Sequence, residues 1–354
     1  MLKQFFKLSL LLLALVGIFA AKSYYQSGAF KKIDNHFAGV TQKISGFYGT
    51  EDITIDQETG IAFLSSDNRW SASLKKNPVK GAIYVLHLKD SVLTPLSKTD
   101  DFRQEDFHPH GISFYQTSEG KKMLFVVNHR KTGHTIEIFE YKNDSLQHQE
   151  SITDALLTSP NDIVAVGERA FYVTNDHNEK ASKSRMIKDI LKIGTGNICY
   201  FDGQKMTKTA FEGLEYANGI NKSADGKKIF VAETTAKRIL VLDRDAATGT
   251  LTKSDEIDTD TGVDNIELDT EGNLWVGCHP QMLKFLSHSK DEKAFSPSEI
   301  IKIKILDKGK FEQTSVYMND GSEISASSVG AVYKNRILIG PVFHGHIIVG
   351  NLSY

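Results

Sequence analysis

The chain has 354 residues, with 42 lysines and arginines against 44 acids and a formal net charge of −2. That balance, with no basic stripe and no RNA-binding signature, excludes nucleic acid as an expected partner. The 2 cysteines, Cys199 and Cys278, offer no zinc spacing.

Lys3 and Lys7 precede residues 8–21, an apolar run broken only by Ser9 and Gly17, and Ala20-Ala21 end it with small side chains. Basic flank, apolar core and small-residue end are the plan of a secretory signal. Extended through Phe5 and Phe6, the same run suits an uncleaved anchor with its basic flank in the cytoplasm. Either way residues 1–21 are expected to place residues 22–354 outside the cytoplasm, with membrane association through the leader. No Pro-, Gly- or Ser-rich linker divides residues 22–354, so they are expected to form a single domain.

Six polar openings follow, each leading an apolar stretch, a turn and a second strand-like stretch: Glu51-Asp52, His110-Gly111, Asn161-Asp162, Asn218-Gly219, Asp264-Asn265 and, less clearly, Ser327-Ser328. They are 59, 51, 57, 46 and 63 residues apart, about one supersecondary unit each. Residues 52–56 pair in pattern with 61–64, and residues 110–114 with 123–128. From Asn218 the chain reads N-G-I-N-K-S-A-D-G-K-K-I-F-V-A, with Asp225-Gly226 as the turn. From Asp264 it reads D-N-I-E-L-D-T-E-G-N-L-W-V-G, turning at Glu271-Gly272. Ile266, Glu267 and Leu268 alternate with the period of a strand. Between these units, residues 182–194 carry Met186, Ile187, Ile190 and Leu191 at helical spacing, which reads as a surface or lid helix. Residues 274–278 read as a buried strand ending in Cys278, so a free thiol is favoured there, although a bridge to Cys199 stays open.

Six four-stranded blades fit the remaining length, which predicts an all-β, six-bladed propeller whose innermost strands line a central channel. Equivalent openings would then converge on the axis. Neighbouring residues of a strand point in opposite directions, so a doublet sends side chains to two places and two metal positions along one channel are expected. Hard oxygen donors select calcium over zinc or copper.

Several segments together carry a family resemblance: Gly49-Thr50-Glu51-Asp52-Ile53, His108-Pro109-His110-Gly111-Ile112-Ser113, Val126-Val127-Asn128-His129, and Pro160-Asn161-Asp162-Ile163-Val164-Ala165-Val166-Gly167. To these are added Tyr216-Ala217-Asn218-Gly219-Ile220, Val263-Asp264-Asn265-Ile266, L-W-V-G-C-H-P from Leu274 and I-L-I-G-P-V-F-H from Ile337. In order and spacing they resemble the serum paraoxonase/arylesterase family from about Gly49 onward.

The resemblance implies a six-bladed propeller holding two Ca²⁺ ions and hydrolysing lactones and aryl esters. Position by position, it implies Glu51, Asn161, Asn218, Asp264 and Asn265 as side-chain ligands of a catalytic calcium. Asp52, Asp162 and the Ile112 carbonyl are implied as ligands of a buried structural calcium. His110 and His129 match the family's histidine dyad, one imidazole taking a proton from water while the other holds it; which is the base stays open. Tyr216, Val342 and Phe343 align near the pocket wall, whereas His279 and His344 are expected to be structural. The expected partner is a small-molecule lactone or ester. The animal members clamp the first and last strands with a disulfide, and neither end of this chain has a cysteine. Ring closure is therefore expected from backbone pairing between an N-terminal strand and the last blade. Two other readings stay open, a non-catalytic calcium-stabilised binding propeller and a gluconolactonase- or strictosidine-synthase-like propeller with different substrates.

Overall fold

The computed structural model describes residues 2–99, 102, 104–179, 182, 184–185, 188, 191–306 and 309–353. After helix α1 (Leu2–Gln26), strands β1 (His36–Phe37) and β2 (Gly39–Ser45) lead into six sheets.

The first blade comprises β3 (Thr50–Asp56), β4 (Ile61–Ser66), β5 (Ala82–His87) and β6 (Leu96–Ser97), with helix α2 (Arg69–Ser73) between its second and third strands. The second comprises β7 (Pro109–Gln116), β8 (Lys122–Arg130), β9 (Gly133–Lys142) and β10 (Ser145–Ile152). The third comprises β11 (Pro160–Ala165), β12 (Phe171–Asn175), β13 (Gly196–Phe201) and β14 (Met206–Leu214). The fourth comprises β15 (Ala217–Lys222), β16 (Lys228–Glu233), β17 (Arg238–Arg244) and β18 (Leu251–Asp258). The fifth comprises β19 (Gly262–Leu268), β20 (Leu274–His279), β21 (Ser298–Leu306) and β22 (Lys310–Asn319). Helix α3 (Met282–His288) interrupts it, and β1 adds at its outer edge. The sixth comprises β23 (Ser327–Tyr333), β24 (Arg336–Pro341) and β25 (His346–Leu352), with β2 as its outermost strand.

The ring is closed by backbone pairing, as the missing terminal cysteines require. Strand β2 runs antiparallel to β25 from Gly39↔Leu352 to Ser45↔His346, so the last blade contains both ends of the propeller. Both cysteines are free and buried. The innermost strands β3, β7, β11, β15, β19 and β23 each touch the next around the axis.

Each blade is buried on both faces, and one apolar cluster fills each blade-to-blade interface. Period-two side-chain alternation explains how one strand serves two of them. In β12, Phe171 and Val173 pack toward the second blade with Phe125 and Ile138, while Tyr172 packs toward the fourth with Ile229 and Leu242. At the predicted turns, Gly226 and Gly272 have positive φ, and the Asp269 carboxylate accepts the Glu271 and Asn273 amides.

Of the expected helix at residues 182–194, Met186, Ile187 and Ile190 lie outside the described residues. No side chain of Gln4–Gln26 in helix α1 is buried, and this stretch is long and apolar enough to cross a membrane. It runs past Ala21 without a break, and Met282 N donates to Ser27 O, at the start of the turn that follows the helix, at 2.9 Å.

Candidate functional site at the propeller axis

Every innermost strand carries a register irregularity at its polar opening: Thr50/Ile53, Pro109/Ile112, Pro160/Ile163, Ala217/Ile220, Val263/Ile266 and Ser327/Val329. A bulge leaves a residue unpaired and re-aims its side chain, so the doublets leave the ladders and face the axis. The glycines of His110-Gly111 and Asn218-Gly219 follow from this crowding. A Cβ on Gly111 would collide with Asp162 and Asn161, and one on Gly219 with Asp264 and Asn265.

Glu51, Asn161, Asn218 and Asp264 line one face of a cavity of about 590 Å³, together with His110, His129, Tyr216 and Val342. Asn265 joins them by donating from Nδ2 to Glu51 Oε1 at 2.9 Å. All five are at least 94% buried. Glu51 Oε2, Asn161 Oδ1, Asn218 Oδ1, Asp264 Oδ1 and Asn265 Oδ1 are each buried without a hydrogen-bond donor. A buried oxygen left unpaired costs about 1–3 kcal/mol, so five such atoms facing one axis favour a positively polarised partner among them, a cation or ordered water. The amide nitrogens are tied elsewhere: Asn218 Nδ2 donates to Thr234 Oγ1 at 3.0 Å, and Asn265 Nδ2 also donates to the Glu51 carbonyl. Among the described residues no three His, Cys, Asp or Glu side chains group closely enough to hold a metal by themselves. The donor set is instead three amide oxygens and two carboxylates, which fits a hard cation such as calcium.

Asp52, Ile112 and Asp162 lie beside this set, among the same strands. Asp52 accepts the Ile53 and Ile112 amides at 2.8 and 2.7 Å, and Asp162 accepts the Ile163 and Ile220 amides, both at 2.7 Å. Each carboxylate therefore ties its own blade to the next. Burial pushes both carboxyls well above the ordinary range; Glu51 and Asp264 raise Asp52 further, and Asp52 raises Asp162. Burial likewise raises Glu51, against Arg69 and Asn265, and takes Asp264 up to about 6. Buried acids that repel one another in this way are relieved by protonation or by a cation.

At the cavity wall the His110 and His129 rings meet edge to face, with centroids 4.8 Å apart. His110 Nε2 is 3.5 Å from Glu51 Oε2, and Arg69 Nη2 approaches its Nδ1 at 3.5 Å. Burial holds both imidazoles well below their ordinary pKa, with Arg69 depressing His110 and with His110, His134 and Arg69 depressing His129. His110 keeps 19% of its side-chain surface open, as a ring at a cavity wall should, but protein packs closely enough to disfavour the imidazolium.

Tyr216 holds a positive φ of 62° just before β15 and lines the cavity, as does Val342. Phe343 is not part of that wall; it stacks on Trp70 at 5.2 Å behind it. His344 is close to His288, with centroids 5.1 Å apart, away from the axis. His279 differs from its expected structural role: its Nε2 is 2.7 Å from Asp264 Oδ2, and it lines the cavity. Sequence reasoning also missed Arg69 and Asp176 in the cavity lining and Glu267, whose buried carboxyl is raised by burial and by Asp52. Arg69 lies on a helix between strands, so no repeat position marks it.

A six-bladed propeller with an oxygen-lined axial cavity and a histidine pair at its wall defines the class of protein. The chain belongs to the arylesterase family, whose profile matches residues 30–350. It is 36% identical to human serum paraoxonase/arylesterase 1 over 303 residues, covering 84% of each chain. It is 34% identical to the mouse protein of that name over 352 residues, covering 95% of this chain and 97% of the relative. Rabbit serum paraoxonase/lactonase 3 is 33% identical over 302 residues, at 84% of each. The chain is accordingly an enzyme of the esterase and lactonase type. Solved structures share the fold at lower identity. A luciferin-regenerating enzyme has a TM-score of 0.56 at 15% identity, covering 88% of this chain and 95% of its own. A calcium-binding regucalcin from Agrobacterium tumefaciens has a TM-score of 0.50 at 15% identity, covering 88% and 96%.

Proposed function

We propose that the protein is an exported, calcium-dependent hydrolase of lactones and aryl esters, with two calcium ions on the propeller axis. The observation that carries this reading is the group of five donorless buried oxygens at the cavity face. Glu51, Asn161, Asn218, Asp264 and Asn265 would hold the catalytic ion, and Asp52, Asp162 and the Ile112 carbonyl the structural one. When bound, the first ion supplies Lewis acidity toward the ester carbonyl oxygen, where negative charge develops during hydrolysis.

The rest of the work falls to the chain's own residues. His129, kept neutral by burial, accepts the proton that the attacking water gives up, and His110, also neutral, packs edge to face against it and holds it in place. Arg69 fixes the His110 ring; because a guanidinium only donates, it engages Nδ1 as an acceptor and leaves the His110 proton on Nε2. His279 holds Asp264 in place. Tyr216 and Val342 shape the acyl or aryl pocket, with Phe343 backing the wall through Phe285. Residues 22–354 act as one domain outside the cytoplasm, and α1 serves as the signal or anchor.

The test is hydrolysis of phenyl acetate and of a lactone panel by purified protein, with and without EGTA. Activity should disappear on chelation and return with calcium. Full activity after exhaustive chelation would refute the reading. Fractionation of cells and N-terminal sequencing of the mature protein test export and the fate of α1.

A further inference from the structure

His129 and His134 sit directly opposite each other on the hairpin of β8 and β9. Their Nδ1 atoms are 2.9 Å apart. Two imidazole nitrogens at that distance share one proton: one ring donates and the other accepts. The pair also divides two spaces. His129 lines the 590 Å³ axial cavity, whereas His134 lines a second cavity of about 560 Å³ with Arg130, Thr132, Asp154, Thr158 and Glu179. Thr132, Gly133 and Asn178 at the rim of the second cavity are exposed, so it opens to solvent.

The axial cavity is where substrate binds and product carboxylate forms, and a cation stands beside its dyad. Its lining includes Tyr24 of α1 and the apolar Leu283, Phe285 and Leu286 of α3, its lysines are Lys192 and Lys237, and the Arg69 guanidinium stands beside the dyad. Besides Glu51 and Asp264, which are assigned to the ion, the acid lining that cavity is Asp176, whose carboxyl, although burial opposes ionisation, is held low by hydrogen bonding and charge from His177, with further help from Arg185. Hydrolysis of an ester or lactone at neutral pH yields a carboxylate and one proton per turnover. That proton needs an exit.

Building on the hydrolase reading, we infer that His134 is the proton outlet of the catalytic dyad, relaying protons from His129 to the solvent of the second cavity. In the resting state the shared proton is on His129 Nδ1, donated to His134 Nδ1, and His129 Nε2 is an unprotonated acceptor. A proton taken up at His129 Nε2 makes that ring an imidazolium. Its Nδ1 proton passes to His134 Nδ1, and His134 releases its Nε2 proton to water. One proton enters, one leaves, and reprotonation from solvent through tautomer exchange resets the pair. His134 touches neither substrate nor ion, so it acts through His129 as a positioning and relay residue.

Full-length His134→Ala and His134→Gln test this in the calcium-loaded enzyme. A glutamine Oε1 can accept from His129 Nδ1 and hold its ring, but it cannot pass a proton on. In dilute buffer both variants should lose kcat by about tenfold, a modest share of the 10²–10⁴ of general acid–base catalysis, with KM and the melting temperature unchanged. Added imidazole should restore kcat in a concentration-dependent manner. ¹⁵N NMR of His129, which needs no turnover, should show a hydrogen-bonded Nδ1–H in wild type and His134→Gln and its loss in His134→Ala. Wild-type kcat in His134→Gln, or a loss that imidazole does not restore, overturns the relay. So does a His129 spectrum indifferent to His134→Ala. If wild type hydrolyses neither phenyl acetate nor any lactone, the hydrolase reading falls instead, and the NMR comparison still decides the shared proton.

Discussion

Asp264→Asn preserves the shape of a side chain on the axis and removes one charge. Without an ion, burial raises the Asp264 carboxyl from its ordinary value of 3.8 to about 6, Glu51 adds to that, and His279 opposes it. The folded protein thus binds this proton more tightly than the unfolded chain, so stability falls as pH rises from roughly 4 to 6. Above that window the ionised carboxylate costs about 3 kcal/mol, from roughly two pK units at about 1.4 kcal/mol each. Asparagine escapes this cost but is a weaker acceptor for His279 Nε2, a loss of about 1 kcal/mol. In EGTA at about pH 8 the variant should therefore be more stable than wild type by about 2 kcal/mol. With calcium at ~100 times its dissociation constant wild type gains about 2.7 kcal/mol, most of which the variant forfeits, and the order reverses. Urea unfolding, followed by fluorescence of the buried Trp70 and Trp275, reads both arms. Equal destabilisation with and without calcium would refute the reasoning, because Asp264 would then be an ordinary buried hydrogen-bond acceptor.

Asn218→Ala should abolish calcium-dependent turnover with little change in melting temperature, whereas Asp162→Ala strands the buried Ile163 and Ile220 amides and should cost about 2–6 kcal/mol by urea unfolding. Equal effects on activity and stability from both would sink the division into two positions. Lys31→Met removes the partner, at 2.8 Å, of the buried Glu299 and should cost about 3 kcal/mol. A melting temperature unchanged by the substitution would show the pair to be inert. Ile44→Ala, in the closing strand β2 and the interface between the sixth and first blades, should cost about 2–4 kcal/mol. Its main effect should be faster unfolding in stopped-flow measurements, and an unchanged unfolding rate would count against β2 as the clasp.

The six units, their hairpins and the polar doublets were legible because each blade is a local unit whose turns and strands are written within about 50 residues. The absence of terminal cysteines pointed to closure by strand pairing, and β2 provides it along β25. The expected ligands Glu51, Asn161, Asn218, Asp264 and Asn265 do come together, because equivalent positions in a closed ring must meet at its axis. Phe343 was harder, since the same I-L-I-G-P-V-F-H segment puts Val342 at the cavity and turns the next residue onto Trp70.

The order of strands, the repeat and the oxygen donors were fixed by the sequence, since they rest on turn chemistry, period and side-chain type. The bulges that re-aim the doublets, the approach of Arg69 to His110 from a helix between strands, the grip of His279 on Asp264 and the His129–His134 contact were settled only in the folded chain. Each depends on where one segment sits against another, and neither propensity nor spacing specifies a distance across a ring.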